Sequence, residues 1–215
     1  MLEQAFAVGG SVTLALAGLV ASNLLYDRGV ANSLSRYVAP ILGGVAFLVA
    51  VLWLDAWTAT ALSGAMALFI LAVRLGFRRG LRGVRGNLPS QDWSEVTYVL
   101  GGTAALAIGW GLLGDRWLAF LPIAFMAWGD STAGLARATL WRSNRASVWP
   151  SFVMAAVCLG AAFLYQPYWI GAVGAVAATI AERKRPRLGV WWDDNAQVVA
   201  VSLTTMVTFT MLTAW

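Results

Sequence analysis

The strongest candidate for a catalytic or ligand-binding residue is Asp130, a carboxylic acid inside an otherwise apolar run that ends at Arg137. In a helix that rises ~1.5 Å per residue, the carboxylate lies roughly 10 Å from the end of the run. An ionised side chain at that depth in a bilayer costs at least ~2.5 kcal/mol unless it faces a partner or a polar cavity. Intramembrane acids usually serve function, although an ion pair with Arg137 would also account for this one.

A second group of polar residues surrounds a basic loop near the end of the chain. Glu182 ends an apolar run, and the triplet Asp193-Asp194-Asn195 precedes the next one. The loop between them contains Arg183, Lys184, Arg185 and Arg187. Asp194 or Asn195 could simply cap a helix, and Glu182 could pair with the adjacent cations. Together with Asp130, however, these residues place several carboxylates at helix ends among Arg and Lys.

Carboxylates beside clustered cations suit phosphoryl transfer. Carboxylates bind Mg²⁺, which keeps several waters and bridges phosphate oxygens. Arg and Lys neutralise the charge of a polyphosphate and of the transition state. The chain contains no His and a single Cys, Cys158, and this chemistry requires neither. No P-loop or Gly-rich kinase motif is present, so any nucleotide must bind to a membrane-embedded scaffold.

Membrane helices must position these residues, because 60% of the chain is hydrophobic and only 12% is charged. Apolar runs of about twenty residues can each cross a hydrocarbon core of roughly 30 Å. The sequence predicts an all-α, polytopic bundle of about eight spans, or seven if one short run is re-entrant. The runs are residues 4–25, 38–54, 57–74, 95–113, 117–137, 148–165, 168–182 and 195–214.

The basic residues predict how the bundle is oriented. All but one of the 15 Lys and Arg residues fall in alternate loops, and only Arg116 falls in the others. By the positive-inside rule the basic loops are cytoplasmic, and both termini lie on the non-cytoplasmic side. This topology explains the pI near 10, so nucleic acid is not an expected partner. The compact, Arg-rich chain favours a prokaryotic cell membrane as its location.

A single integral membrane domain is predicted over residues 1–215. Its longest polar stretch, residues 74–94, is rich in Arg and Gly. It is expected to form an irregular or partly helical cytoplasmic loop rather than a separate fold.

Five short motifs occur in order along the chain. They are Ser-Leu-Ser-Arg at 33–36, Ser-Glu-Val-Thr-Tyr at 94–98, Gly-Asp-Ser-Thr-Ala-Gly at 129–134, Ala-Thr-Ile-Ala-Glu at 178–182 and Asp-Asn at 194–195. This arrangement, over about residues 33–201, resembles the polyprenol kinase family. That family comprises dolichol kinases, phytol kinases and CTP-dependent diacylglycerol kinases, and it is distantly related to phosphatidate cytidylyltransferases.

The resemblance implies a membrane kinase that transfers the γ-phosphate of CTP to an isoprenoid alcohol. The alcohol would be dolichol, another polyprenol, phytol or geranylgeraniol. Asp130, Glu182 and Asp194 would hold Mg²⁺, and one of them would accept the alcohol proton. The expected nucleotide-binding residues are Arg137, Arg142, Arg145, Ser147, Arg183, Lys184 and Asn195. Further candidate site residues are Arg36, Glu95, Gly129 and Asp193.

The chain departs from the family pattern in two places. Pro40 stands where the family often has a His, and the loop at 145–151 keeps Ser147 and Ser151 but lacks the usual Lys and Gly. The nearest alternative is a cytidylyltransferase that makes a CDP-activated lipid and releases pyrophosphate. A small transporter, with Asp130 as an ion or proton site, is the non-enzymatic alternative; the acids cluster near one face and no internal repeat is evident, which disfavours it.

Overall fold

A computed structural model describes residues 2–76, 81–84, 93–141, 147–184 and 193–213. Over these residues the chain forms helices and no strand. The α-helices are α1 (Leu2–Asp27), α2 (Asn32–Ser35), α3 (Val38–Trp53), α4 (Ala56–Gly76), α5 (Ser94–Ala105), α6 (Arg116–Ala124), α7 (Ser131–Thr139), α8 (Trp149–Ala162), α9 (Tyr168–Lys184) and α10 (Asp194–Thr213). Two π-helical segments complete them: Leu106–Leu112 extends α5, and Phe125–Asp130 joins α6 to α7. The predicted all-α class is confirmed.

Five helical stretches in the described part of the chain are long and apolar enough to cross a membrane. They are Leu2–Asp27, Asn32–Trp53, Ala56–Gly76, Arg116–Thr139 and Asp194–Thr213. Helices α8 and α9 are shorter, with 14 and 17 residues. The protein is therefore a helical membrane protein. The count of eight spans and the non-cytoplasmic placement of both termini stay predictions.

The helices pack around one central rod, formed by α6, the π-helical segment Phe125–Asp130 and α7. In the apolar window of this rod 78% of the residues are buried, compared with 22% for α1 and for α4. Phe120, Phe125 and Met126 are almost wholly inaccessible. Around the rod, α1 packs on α3, α4 packs on α5, and α9 packs between α8 and α10. Asp130 lies on this rod, so other helices surround it.

The central rod changes its winding just before Asp130. Pro122 lies inside α6 and removes one backbone N–H donor. The rod then widens into the π-helical segment Phe125–Asp130. A π-helical turn shifts the direction of the side chains that follow it, and such turns are frequent at functional sites. Asp130 is the last residue of this segment, so the turn sets the direction of its carboxylate.

Two glycines of the 129–134 motif are required by close packing. A Cβ at Gly129 would overlap the Sγ atom of Cys158 on α8, and a Cβ at Gly134 would overlap the ring of Tyr37. Both glycines therefore let neighbouring helices approach the central rod. Gly129, predicted as a candidate site residue, serves packing next to Asp130.

Candidate functional site

A cavity lies between the α1–α3 pair and the α4–α5 pair. One end of it is polar, and the rest is mainly apolar, apart from Ser11 and Ser63. The polar end is lined by Arg36, Ser94, Glu95, Asp130, Asp194 and Asn195. The apolar part is lined mainly by small and aliphatic side chains of α1, α3 and α4. A polar cavity of this kind is what an acid inside the membrane requires, and Asp130 lies at its polar end.

Asp194 and Asn195 reach the polar end from the start of α10. Asn195 donates a hydrogen bond from Nδ2 to the carbonyl oxygen of Ser94, at 3.0 Å. This bond ties the first turn of α10 to the first turn of α5. An acid in the first turn of a helix is also stabilised by the helix dipole. The structure thus brings together Asp130, Asp194 and Asn195, which are far apart in sequence.

The helix-capping role belongs to Asp193. Its Oδ1 atom accepts a hydrogen bond from the backbone N–H of Ala196, at 3.0 Å. Its Oδ2 atom accepts a hydrogen bond from the hydroxyl of Thr97 on α5, at 2.5 Å. Helix capping was the alternative role for Asp194 and Asn195. In the structure, Asp193 caps α10 instead.

Glu182 is held by Arg137 and does not line the cavity. Arg137 donates from Nη2 to Oε1 of Glu182, at 2.9 Å, and so links α7 to α9. The Glu182 side chain is 1% exposed, and that of Arg137 is 32% exposed. Among the described residues no group of three carboxylates converges on one point. The predicted three-carboxylate magnesium site stays a prediction, and the cavity holds two of its members, Asp130 and Asp194.

Two arginines lie beside the polar end, each on an aromatic ring. Arg36 donates from Nη2 to the hydroxyl of Tyr37, at 2.6 Å, and its guanidinium lies 4.7 Å from the centre of that ring. Arg74 forms a buried ion pair with Glu95 and lies 4.0 Å from the ring centre of Trp93. Arg74 was not among the predicted site residues, although ionisable residues within membrane-spanning runs commonly pair with one another.

Part of the predicted loop 74–94 contributes to the wall of the cavity. Residues 81–84 dock on the corner between α1 and α2. Gly83 donates its N–H to Oδ1 of Asn23, at 2.7 Å, and accepts from the hydroxyl of Ser35, at 3.2 Å. Arg82 pairs with Asp27, at 3.5 Å. Val84 is buried and lines the cavity, so this segment forms part of the cavity wall.

The remaining predicted nucleotide-binding residues fall outside this cavity. Arg142 and Arg145 lie outside the described residues. Ser147 precedes α8, where its hydroxyl accepts a hydrogen bond from the N–H of Trp149, at 3.3 Å. Arg183 is exposed in the last turn of α9, and Lys184 ends that helix. Their nucleotide contacts stay predictions.

Asp193 gives the protein a pH-dependent stability. Burial raises the pKa of this carboxyl group to about 6. Because the folded-state pKa exceeds that of the unfolded chain, the proton stabilises the fold at low pH, and this contribution is lost as the pH rises from about 4 to about 6. We expect the unfolding temperature of the protein to fall between pH 4 and pH 6 relative to that of Asp193→Asn, measured by tryptophan fluorescence.

The control for this measurement is Asp55→Asn. Asp55 is an exposed cap of α4, and its hydrogen bonds with Thr58 lower the pKa of its carboxyl group. Its titration therefore lies below this pH window. An Asp193→Asn variant with the same pH dependence as Asp55→Asn would contradict the assignment.

Comparison of the chain with protein-family models, with curated proteins and with solved structures found no match. What the site can do chemically follows from its geometry. It combines three carboxylates, one of them (Glu95) paired with Arg74, with an amide and a guanidinium at one end of a cavity whose other walls are mainly apolar. That combination suits a reaction between a polar, charged reactant and a lipid.

Proposed function

We propose that the protein is a membrane kinase of the polyprenol kinase type. It transfers the γ-phosphate of CTP to the hydroxyl of an isoprenoid alcohol at the cytoplasmic face of a prokaryotic membrane. The observation that carries this proposal is the two-part cavity. Asp130, Asp194 and Arg36 lie at its polar end, and an apolar limb continues from there between the helices. A lipid alcohol has the same division into a reactive hydroxyl and an apolar tail.

The residues at the polar end fit a magnesium site. Mg²⁺ in phosphoryl-transfer enzymes is typically held by one or two carboxylates, with waters and substrate phosphates as the other ligands. Asp130 and Asp194 supply two carboxylates from separate helices, and Asn195 adds an amide. When bound, the metal ion would neutralise charge on the triphosphate.

The side chains of the polar end have distinct roles in this reaction. The alcohol oxygen forms a bond to the γ-phosphorus, the bond from that phosphorus to the bridging oxygen of the β-phosphate breaks, and CDP leaves. The alcohol proton passes to a carboxylate oxygen, for which Asp130 is the better placed, since it lies on the buried central rod. Arg36 provides positive charge for the transferring phosphoryl group.

A labelled-nucleotide assay tests this proposal. The purified protein in detergent, with Mg²⁺, receives γ-labelled CTP or ATP together with geranylgeraniol or dolichol. Label that enters the organic phase, with CTP the better donor, is the expected result. Label that enters lipid only from α-labelled CTP and a phospholipid acceptor would replace the kinase with a cytidylyltransferase. No transfer from either label to any of these lipids would overturn the proposal.

A further inference from the structure

The apolar limb of the cavity has a defined length. Its lining extends along α3 from Tyr37 to Ala50 and along α4 from Ile70 to Ala59. At ~1.5 Å per residue these stretches are about 20 Å and 16 Å long. The limb therefore runs from the polar end through most of the thickness of the bundle.

The far end of this limb is closed. Ala50 is 4% exposed and Ala59 is 1% exposed, although both line the cavity. The next residues of α3 and of its link to α4, Val51 and Leu54, are also buried. The limb thus ends about one helical turn before the ends of α3 and α4, instead of opening through the bundle.

Small residues form one wall of the limb. On α3 the lining residues Ala39, Gly43, Ala46 and Ala50 share one helix face. Ala59 faces them from α4 at the closed end. A larger side chain at Ala46 or at Ala59 would fill the limb at a known depth.

The limb has a side opening toward the bilayer. In the described part of the chain, α1 packs on α3 and α4 packs on α5, while α1 and α4 scarcely touch each other. Val12 and Ala15 of α1, and Leu62 and Met66 of α4, line the cavity and are half-exposed. A lipid tail can enter through this gap without passing through water.

The length of the limb limits the length of the lipid tail that it can hold. An extended chain covers about 1.2 Å per bond, so an isoprene unit of four chain bonds covers about 5 Å. We infer that the limb accommodates a tail of three to four isoprene units, and that Ala46 and Ala59 set this limit. This inference rests on the proposed function and narrows its acceptor from isoprenoid alcohols of any length to C15–C20 alcohols. A C55 tail binds no more tightly than a C20 tail, because its additional isoprene units stay in the bilayer.

A competition assay without nucleotide tests the inference. Tritiated geranylgeraniol is bound to the purified protein in detergent and displaced by geraniol (C10), farnesol (C15), unlabelled geranylgeraniol (C20), a C55 polyprenol or dioleoylglycerol. For the natural sequence, affinity should rise from C10 to C20, and the C55 polyprenol should bind no more tightly than the C20 alcohol. Dioleoylglycerol, with two chains, should compete poorly.

Two substitutions should shorten the accepted tail by different amounts. Ala59→Leu fills the closed end, so it should weaken C20 binding at least about tenfold while C15 binding changes less than about twofold. Ala46 lies nearer the polar end. Ala46→Leu should therefore weaken both C15 and C20 binding at least about tenfold and leave C10 binding unchanged. Ala61→Leu, an exposed position on α4, should leave every affinity unchanged.

The folded state of each variant is checked independently of ligand. Cys158 is the only cysteine and is fully buried, so a thiol-reactive dye labels the protein only as it unfolds. If a leucine variant fails to fold, Ala59→Val and Ala46→Val provide smaller steps at the same depths. Affinity that keeps rising from C20 to C55, or folded variants that weaken all chain lengths equally, would overturn the inference.

The assay separates this inference from the proposed function. Length-dependent binding without phosphoryl transfer would reject the kinase and keep the tail site. Phosphoryl transfer with equal use of C10, C20 and C55 alcohols would keep the kinase and reject the length limit.

Discussion

We expect Asp130→Asn to reduce phosphoryl transfer at least about 100-fold, while the protein still inserts and folds. The amide keeps the shape of the side chain but removes the charge that, in the proposed reaction, would bind a metal ion and accept the alcohol proton. Removal of a charge from the interior of the bundle does not add to the cost of burial, which is at least ~2.5 kcal/mol for an ionised acid in a membrane. Transfer of γ-label from CTP to geranylgeraniol measures the activity, and dye labelling of Cys158 on heating measures the fold.

The matched control is Asp55→Asn, which makes the same chemical change at an exposed cap at the start of α4. It should retain full transfer activity. If Asp130→Asn keeps the activity of this control, Asp130 has no part in the chemistry. If Asp130→Asn fails to fold, the acid serves structure instead.

Arg137→Leu should lower the free energy of unfolding by about 3 kcal/mol, because it leaves the buried carboxylate of Glu182 without its guanidinium. The two side chains join α7 to α9 through a 2.9 Å contact, and only the arginine reaches solvent. The double variant Arg137→Leu with Glu182→Leu removes both charges and should recover most of the loss. The unfolding temperature reported by Cys158 labelling compares the stability of the natural protein, the single variant and the double variant.

Arg183→Leu provides the control for loss of a cation at the same end of α9. Arg183 is exposed, so its removal should change stability by less than about 0.5 kcal/mol. An Arg137→Leu variant as stable as Arg183→Leu, or a double variant as unstable as the single one, would contradict a structural role for the Arg137–Glu182 pair.

The helices follow from the sequence because their cause is local. Long apolar runs can be stable in a bilayer only as helices, and polar or basic loops end them. The predicted run 57–74, for example, became α4 at Ala56–Gly76. The change of winding at Phe125–Asp130 was not predicted, because Pro122 offers the only local signal and a proline alone is also compatible with a simple kink.

The site was predictable in part. Asp130 was predicted because it is a charged residue within an apolar run. Asp194 was predicted because it stands at the start of a helix. The same reasoning gave Glu182 an equal claim, but its partner Arg137 lies 45 residues away along the chain. Whether a carboxylate faces a cation or a cavity depends on how helices pack, and that information is not in the spacing of residues along the chain.

The roles of two adjacent residues, Asp193 and Asp194, could not be distinguished from the sequence either. Asp193 and Asp194 have identical side chains, and either could cap α10. The structure assigns the cap to Asp193, since this residue also reaches Thr97 on α5. Asp194 is then directed to the cavity one position later. Only the placement of α5 against α10 separates the two roles.

In the proposed mechanism, carboxylates from the central rod and from α10 act at one site. Electron paramagnetic resonance of Mn²⁺, titrated into the purified protein with CTP, tests it most directly because it requires no turnover. We expect Asp130→Asn and Asp194→Asn each to weaken Mn²⁺ binding at least about tenfold, and Glu182→Gln to leave it unchanged. Mn²⁺ binding that survives in both aspartate variants, or that depends on Glu182 instead, would contradict the claim.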